Sequence, residues 1–516
     1  MTEVLHRSDN ALLRKLGYKS EFQREFSLIE TICFSLSIMA VSSGVTTGYS
    51  FPLNSGGHFA MIWGWFIPCF FIMCVAASMA ELASSMPTSA GLYYFSAKMA
   101  STKHSALASW ITGWANITGQ ITLVCSIGYT CAEMITSGIT MATDGAVTLG
   151  SGPTFGILVA IFATQGIICS TATRTLARIN LLSVILTSED LWFMGTLIAA
   201  VVGLFVCARK NRVSAKVAFT EFENSTGWSN NVWAFIMAFT SPMWSLTGYD
   251  SAAHISEETA GAARAAPIAI VVSVAATEIF GWIYYMAASF ATTSVDEILQ
   301  TKLTLPMGQV FLNTLGKKGA LALWFLIALY MCGCSQGVDA SRVIFAFSRD
   351  NALPGSRWWK KIDKRTQTPV NAVWLVMAAS AVCGVLSFSA AAFNSLVSAS
   401  VIGLYISYVT PVYFRITSGR KKFVPGPFNL GRWSTPIGIT AIVWVAFMVV
   451  MLLFPASQST TAETMNYAIV LVMAVFVFAS LSWVLSARKW FTGPISNIDS
   501  SSESTSYDEK QDHSVL

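Results

Sequence analysis

Charge is what this sequence has least of. Asp, Glu, Lys and Arg make up 11% of its 516 residues, against about 25% in a soluble domain. With 54% hydrophobic residues and a mean hydropathy of +0.57, a water-soluble fold is excluded and an integral membrane protein is expected. No GxxxxGK[ST] run occurs, so no Walker loop is present to drive transport with ATP. His254 and Glu257 stand three apart but lack the second histidine of HExxH, so no metal and no cofactor are expected. The ten cysteines fall in or beside apolar runs, Cys332-Gly-Cys334 lacks metal-ligand spacing, and all ten read as packing residues. Residues 1–27 are charged and the first apolar run is too long for a signal peptide, so no secretory leader is expected. The net charge of +5 is the basic excess of a membrane protein's inner loops and calls for no nucleic-acid partner.

What is abundant is the long apolar run. Segments of about 20 residues suit a bilayer core, and twelve are expected near 30–51, 60–82, 107–136, 154–173, 179–207, 232–252, 267–292, 319–347, 370–388, 392–414, 434–455 and 466–487. The third, fifth and eighth are long enough to tilt or to project from the hydrocarbon. Twelve spans place both termini on one side. The loops of that side carry 24 Lys and Arg, the opposite loops seven, so both termini are expected in the cytoplasm. Arg209, Lys210, Arg212 and Lys216 run against that bias. Asn224-Ser-Thr226, in the same expected outer loop, is a glycosylation sequon; Asn116-Ile-Thr118 falls inside a span. No loop is long enough for a separate core. The expected organisation is a cytoplasmic tail 1–27, one membrane domain 28–487 and a Ser-rich, acidic, disordered cytoplasmic tail 488–516.

Two of the runs are interrupted by small residues. The first breaks at Ser42-Ser43-Gly44 and the sixth near Ser245-Leu246-Thr247-Gly248, five spans apart. An unpaired backbone group in lipid costs several kcal/mol, so a gap survives only inside protein or beside a water-filled cavity. Paired gaps at corresponding places in two halves point to a transporter's binding site. Close helix packing is the competing use of Gly and Ser. If the repeat is five spans, the sixth is the inverted counterpart of the first, and the last two spans lie outside the repeat. A gap offers amides, with the positive end of a helix dipole, to a carboxylate and carbonyls to an ammonium group. One zwitterion could bridge Ser42, Ser43, Gly44 and Val45 on one side and Trp244, Ser245, Leu246, Thr247, Gly248, Tyr249 and Asp250 on the other.

Carboxylates inside spans are costly and mark interior or water-lined positions. Glu133, Glu189, Asp190, Asp250, Glu278 and Asp339 lie in expected spans. Asp339 and Arg342, three apart on one helix, are expected to pair. The remaining acidic excess suits a protonatable relay or an amine-bearing substrate, and Glu133 and Glu278 are candidates. Glu81, before Pro87 and Gly91, reads as a helix end and turn. Arg342, Arg349 and Asp350 are expected to lock a cytoplasmic loop through ion pairs, with His254, Glu257 and Glu258 as gate contacts or caps.

The strings SSGV at 42–45, AELASSMPTSAGLYY at 80–94, GYDSAAHISEET at 248–259, ARAAPIAI at 263–270 and ASRVIFAFSRDNALP at 340–354 resemble the amino acid–polyamine–organocation superfamily. More narrowly they resemble its fungal amino-acid/choline transporter family, which includes γ-aminobutyrate, choline and polyamine permeases. The resemblance covers about residues 20–490. It implies an all-α membrane protein of twelve transmembrane helices in a 5+5 inverted-repeat fold, with helices one and six broken and helices eleven and twelve added. It implies proton-coupled uptake of an amine-bearing solute, with Ser43, Gly44 and Val45 on the substrate carboxylate, Trp244 to Asp250 lining the amine side and gate, and Glu81 and Glu258 as structural or gating residues. The TSED stretch at 187–190 departs from the family's aromatic-rich middle of span five and leaves the coupling residue open.

The expected function is therefore a secondary active permease, not an enzyme, importing an amino acid or γ-aminobutyrate-like amine with protons. Its expected home is the plasma membrane, with the vacuolar membrane as the alternative. Choline or a polyamine is the alternative substrate, held by cation–π contact on Trp244 and Tyr249. A nutrient-sensing receptor with little transport is a second class.

Overall fold

The computed structural model describes residues 2–18, 24, 26–171, 189–331, 335–461 and 465–496. Thr187-Ser188, Cys332, Cys334 and the tail from 497 lie outside them. Among the described residues the chain is helical, and its one β feature is an isolated parallel bridge between Phe26 and Thr259. The helices are α1 Thr2–Leu16, α2 Leu28–Met39, α3 Val41–Gly48, α4 Ser50–Ser85, α5 Gly91–Met99, α6 Ser105–Ala142, α7 Ser151–Cys169, α8 Glu189–Cys207, α9 Asn231–Met237, α10 Thr240–Ser245, α11 Ser251–His254, α12 Ala262–Ala291, α13 Met307–Met331, α14 Ser335–Arg349, α15 Val370–Gly384, α16 Ala390–Ile416, α17 Ser434–Met451 and α18 Ala468–Leu485. Three short helices sit on connecting loops at Ala215–Thr220, Val295–Leu299 and Ser356–Trp359. Eight helices among the described residues are long and apolar enough to cross a membrane, with shorter apolar helices at Met194–Cys207 and Val370–Gly384. Phe66, Phe70, Ile279, Phe325, Val443 and Leu481 are exposed on these helices. Hydrocarbon accepts such side chains as water does not.

Local chemistry starts and bends the helices. Ser27 Oγ caps α2 by accepting from the Glu30 amide, while the Ser27 amide donates to the Glu30 carboxylate at 2.7 Å, a reciprocal capping box. At Ala40 the chain turns left-handed, with φ 41°, and α3 begins at the next residue. Gly56 and Gly57 then bend α4, so its first six residues continue the first span and the rest forms the second. The sixth run divides into α9, α10 and α11, with Leu246–Asp250 irregular between the last two. Gly316 kinks α13 near its start.

The helices form two packed groups. In one, α12 lies along α4 and α2; in the other, α6 lies along α16, α13, α15 and α7. The α6–α16 approach is close because a side chain at Gly403 would meet the Gly119 amide at 2.9 Å. Small residues allow this contact between backbones. Helix α17 touches both α4 and α16, and α10 and α3 meet where the groups face each other.

The first interruption differs from its expected place. The break is at Ala40, and Ser42-Ser43-Gly44 belongs to the first turn of α3. The hydroxyls explain why these residues stay helical: Ser43 Oγ donates to the Ala40 carbonyl at 2.8 Å, and Thr46 and Thr47 donate to the Ser42 and Ser43 carbonyls at 2.6 and 2.8 Å. Gly248 is different, because it needs glycine twice over. Its φ is +93°, and a Cβ there would collide with Ile38 Cγ2. Gly248→Ala is expected to lower the melting temperature of the purified protein, equivalent to about 1–2 kcal/mol from backbone strain alone and more from the clash. Gly248→Ala with Ile38→Ala should recover the clash but not the strain, which thermal unfolding of both variants will read.

Candidate functional site

The two interruptions face each other. A Cβ on Gly44 would lie 2.9 Å from Ser245 Oγ, so the first turn of α3 and the end of α10 are in contact through a glycine. Around this contact lies a cavity of about 50 Å³ bordered by Ser43, Gly44, Trp244, Ser245 and Thr247, with Gln336 and Ser335 of α14 opposite. A volume of this size has room for a few water molecules only, so the two groups must separate to admit a larger guest. The first intrahelical bond of α3 runs from the Gly44 amide to the Ala40 carbonyl at 2.8 Å. The amides of Val41, Ser42 and Ser43 precede it and have no partner within the helix. Ser42 Oγ and Ser245 Oγ are buried without a hydrogen-bond partner. Trp244 is fixed by its indole N–H to Ser126 Oγ at 3.3 Å.

The remaining sequence-predicted residues divide. Ser42 and Val45 are buried one position behind the cavity wall. Leu246 is spent on an amide bond to the Pro242 carbonyl at 2.9 Å. Gly248 gives its amide to Tyr408 Oη at 3.1 Å, and Tyr249 packs on the Tyr408 ring with centroids 5.0 Å apart. Asp250 lies beneath the cavity, where it accepts the Tyr408 hydroxyl at 2.6 Å and the Gln120 amide at 3.4 Å. Gln120 also donates to Asp339 at 2.8 Å and accepts from Gln336. Gln120, Gln336 and Tyr408 were not among the expected site residues. Their signal in the sequence is an uncharged polar group inside an apolar run, which is weaker than a carboxylate's.

One expected pairing is corrected. Asp339 does not pair with Arg342. Asp339 Oδ1 takes the His254 ring at 2.8 Å, while Arg342 reaches Glu258 at 2.7 and 3.4 Å. Neighbours three apart on a helix can meet, but here both side chains face partners on the segment around α11. Arg349 and Asp350 each take partners from other segments. Arg349 contacts both oxygens of Glu257 at 3.2 Å, and Glu257 also accepts from Thr88 and the Ser89 amide at 3.0 Å. Asp350 accepts from Tyr93 at 2.8 Å, from Tyr18 at 3.2 Å and from the Ile495 amide at 3.1 Å. These arginines of α14 tie the second group of helices to the segment that follows the break in the first.

The other candidate acids are dispersed. Glu81 meets Arg415 at 3.0 Å, the Leu430 amide at 3.2 Å and the Ser434 hydroxyl, which anchors the loop from α16 to α17. Glu133 is hydrogen-bonded to Tyr129 one turn earlier on α6. Glu278 borders a separate hollow of about 500 Å³ among Trp65, Phe66, Phe70 and Trp282. Glu189 and Asp190 are the first residues of α8. Asn224 uses its side chain locally: Oδ1 accepts from Thr226, and Nδ2 donates to the Trp228 carbonyl at 2.8 Å. Asn116 is buried in α6.

The family model described as "Amino acid permease" matches residues 26–476. An amino-acid permease BAT1 homolog of Oryza sativa subsp. japonica is 38% identical over 503 residues, covering 95% of this chain and 96% of its own. Amino-acid permease BAT1 of Arabidopsis thaliana is 36% identical over 505 residues, covering 95% and 97%. A GABA-specific permease of Saccharomyces cerevisiae is 33% identical over 502 residues, covering 95% and 86%.

The N-terminal segment covers the face where Arg349 and Asp350 lie. Tyr94 donates to the Leu16 carbonyl at 2.7 Å, and the Arg349 guanidinium sits 4.2 Å from the Tyr18 ring centroid. Burial pushes the Asp350 carboxyl from 3.8 up to about 6, with Arg349 and the three hydrogen bonds opposing. Burial, then the Asp350 charge, also raises the Tyr18 phenol, so it remains a donor. A covered Asp350 holds its proton more tightly than an uncovered one. The resulting contribution to docking is therefore fully present below pH 3.8 and lost as pH rises through 6. Cleavage within residues 1–18 by a protease, normalised to a peptide control, should be slower at pH 5 than at pH 7.5.

Proposed function

The chain belongs to the amino acid permease family and is an integral membrane protein, and on that premise we propose a secondary active permease that imports an amino acid or γ-aminobutyrate-like amine with protons. The relatives are named as permeases, not enzymes, and one is named for γ-aminobutyrate. The observation that carries the reading is the contact of the two interrupted spans at Gly44 and Ser245 beside one cavity. Bare amides at the start of α3 suit a carboxylate, and the carbonyl end of α10 with Trp244 suits an ammonium group. Ser245 Oγ, on the cavity wall, buried and unpartnered, is hydrogen-bond capacity left for a polar guest.

The proposed architecture has twelve spans. The paired interruptions in the first and sixth support a 5+5 inverted repeat, with α17 and α18 outside it, flanked by cytoplasmic tails 1–27 and 488–516. The plasma membrane is the proposed location. Alternating access would move α2, α3, α4 and α9–α12 against the α6–α16 group. The Arg342–Glu258 and Arg349–Glu257 pairs link the two groups on the cytoplasmic side and act as gate contacts. Choline or a polyamine remains the alternative substrate, because Trp244 offers a face to either cation.

Gly44→Trp should fill the cavity and abolish uptake while leaving surface expression unchanged. A radiolabelled screen over amino acids, choline and polyamines at two pH values should show at least one amino acid or γ-aminobutyrate accumulated by wild type, more at acid outside pH. Wild-type uptake by Gly44→Trp would remove the site.

A further inference from the structure

Beneath the cavity, on its cytoplasmic side in the proposed topology, three ionisable side chains meet out of water. Asp250 and Asp339 are fully buried and His254 is 2% exposed. They come from both helix groups: Asp250 is the N-cap residue of α11 and His254 is its last residue, and Asp339 is on α14. His254 Nδ1 is 2.8 Å from Asp339 Oδ1, and Nε2 is 3.7 Å from Asp250 Oδ2. The imidazole is thus held between two carboxylates and hydrogen-bonded to one. With both carboxylates ionised and the ring neutral, the cluster would carry two buried negative charges, and uncompensated buried charge is costly.

Among the described residues, the other groups that face the cluster bring no positive charge. Helix α6 presents Gln120 and Asn116, α16 presents Tyr408, α2 presents Ser35 to Ser251 at 3.2 Å, and Gly91 of α5 leaves room against the ring. Arg342 and Arg349 on the helix of Asp339 are engaged by Glu258 and Glu257. His254 Nδ1 and Asp339 Oδ1 touch at 2.8 Å, a hydrogen-bond separation that leaves no space for an ion between them. One feature instead marks a place for a hydrogen. Asn116 is 2% exposed, its amide lies 3.5 Å from His254 Nε2, and its Oδ1 has no hydrogen-bond partner. With the Nδ1 hydrogen donated to Asp339, the Asn116 Nδ2 group donates to an unprotonated Nε2; a proton arriving at Nε2 would give Asp250 a counter-charge and, once the Asn116 amide turns over to present Oδ1, would give that oxygen a donor.

Resting on the permease reading, we propose that Asp250, His254 and Asp339 form the coupling-proton site, with His254 Nε2 and the facing Asp250 oxygen as its two loading atoms and Asn116 as the group that registers the proton. The site is wired to the cavity by hydrogen bonds. Gln336 lines the cavity and donates to Gln120, whose amide holds both carboxylates. On the other side, Tyr408 donates to Asp250 and accepts from the Gly248 amide in the break. A proton on the cluster alters what Tyr408 and Gln120 donate to, and so alters the groups at the edge of the substrate cavity. By linkage, substrate there alters the proton's affinity by the same factor. The proton enters from the aqueous phase on the outside and leaves on the inside, and no bond other than those to hydrogen changes.

The test uses the full-length protein in proteoliposomes, with γ-aminobutyrate or whichever amino acid the uptake screen identifies. Homo-exchange at equal pH and accumulation under an inward proton gradient are measured for wild type, His254→Asn and Asn116→Leu. Wild type should do both. The variants should keep exchange within about threefold and lose gradient-driven accumulation more than tenfold, with the pH dependence of KM flattened. If wild type neither exchanges nor accumulates any of the amines, the permease reading fails. If wild type accumulates and both variants do so equally, or if a sodium gradient replaces the proton gradient, the coupling site is overturned while the permease reading stands. Should one variant lose substrate binding, seen as loss of the substrate-induced rise in melting temperature, the other decides. Loss of binding in both would overturn the proposal by placing the cluster in the fold or on the substrate.

Discussion

An unpaired peptide group has no partner in hydrocarbon, and that single constraint organises this molecule. Two spans lose helical hydrogen bonds, one at the amides of Val41–Ser43 that follow the left-handed turn at Ala40 and one after Leu246, and each break is sheltered by the other. Gly44 and Ser245 touch, Gly248 seats on Ile38, and the orphaned Gly248 amide is taken up by a tyrosine from α16. The long regular helices around them, α4, α6, α12 and α16, supply the shelter. The breaks of these two spans lie where the two helix groups meet.

The same place determines how the groups hold together. Near α11 the contacts between them include buried ion pairs, Arg342–Glu258 and Arg349–Glu257. Breaking one such pair by deleting a partner leaves a charge without compensation, typically at a cost of about 3–5 kcal/mol. Separating both partners into water costs far less, because each is solvated as it parts. Paired charges therefore hold one arrangement firmly while allowing another in which the face is wet.

Much of this was legible in the sequence, for identifiable reasons. Small residues inside apolar runs located both interruptions, because a bilayer tolerates SSG and LTGYD in mid-span only where protein or water covers the backbone. The first came out two residues from its true position: a left-handed alanine leaves no mark in a sequence, while serines and threonines that bond back to their own helix look like breakers and are not. The Asp339–Arg342 pairing failed because spacing along one helix says nothing of what a neighbouring helix brings closer. Gln120, Tyr408 and Asn116 escaped because an amide or phenol in a span has many uses, and only their convergence on two carboxylates singles them out. The family strings were informative because they carry this convergence compressed: GYDSAAHISEE holds the break, two members of the buried cluster and both partners of the α14 arginines.

Asp350 is gripped from both extremities of the described chain, by the Tyr18 hydroxyl on one side and the Ile495 amide on the other. A fluorescent protein or affinity handle grafted at either end would thus tug on one shared carboxylate. Reporters at opposite ends of the polypeptide are not independent controls for each other, and a silent insertion belongs in a loop remote from this knot.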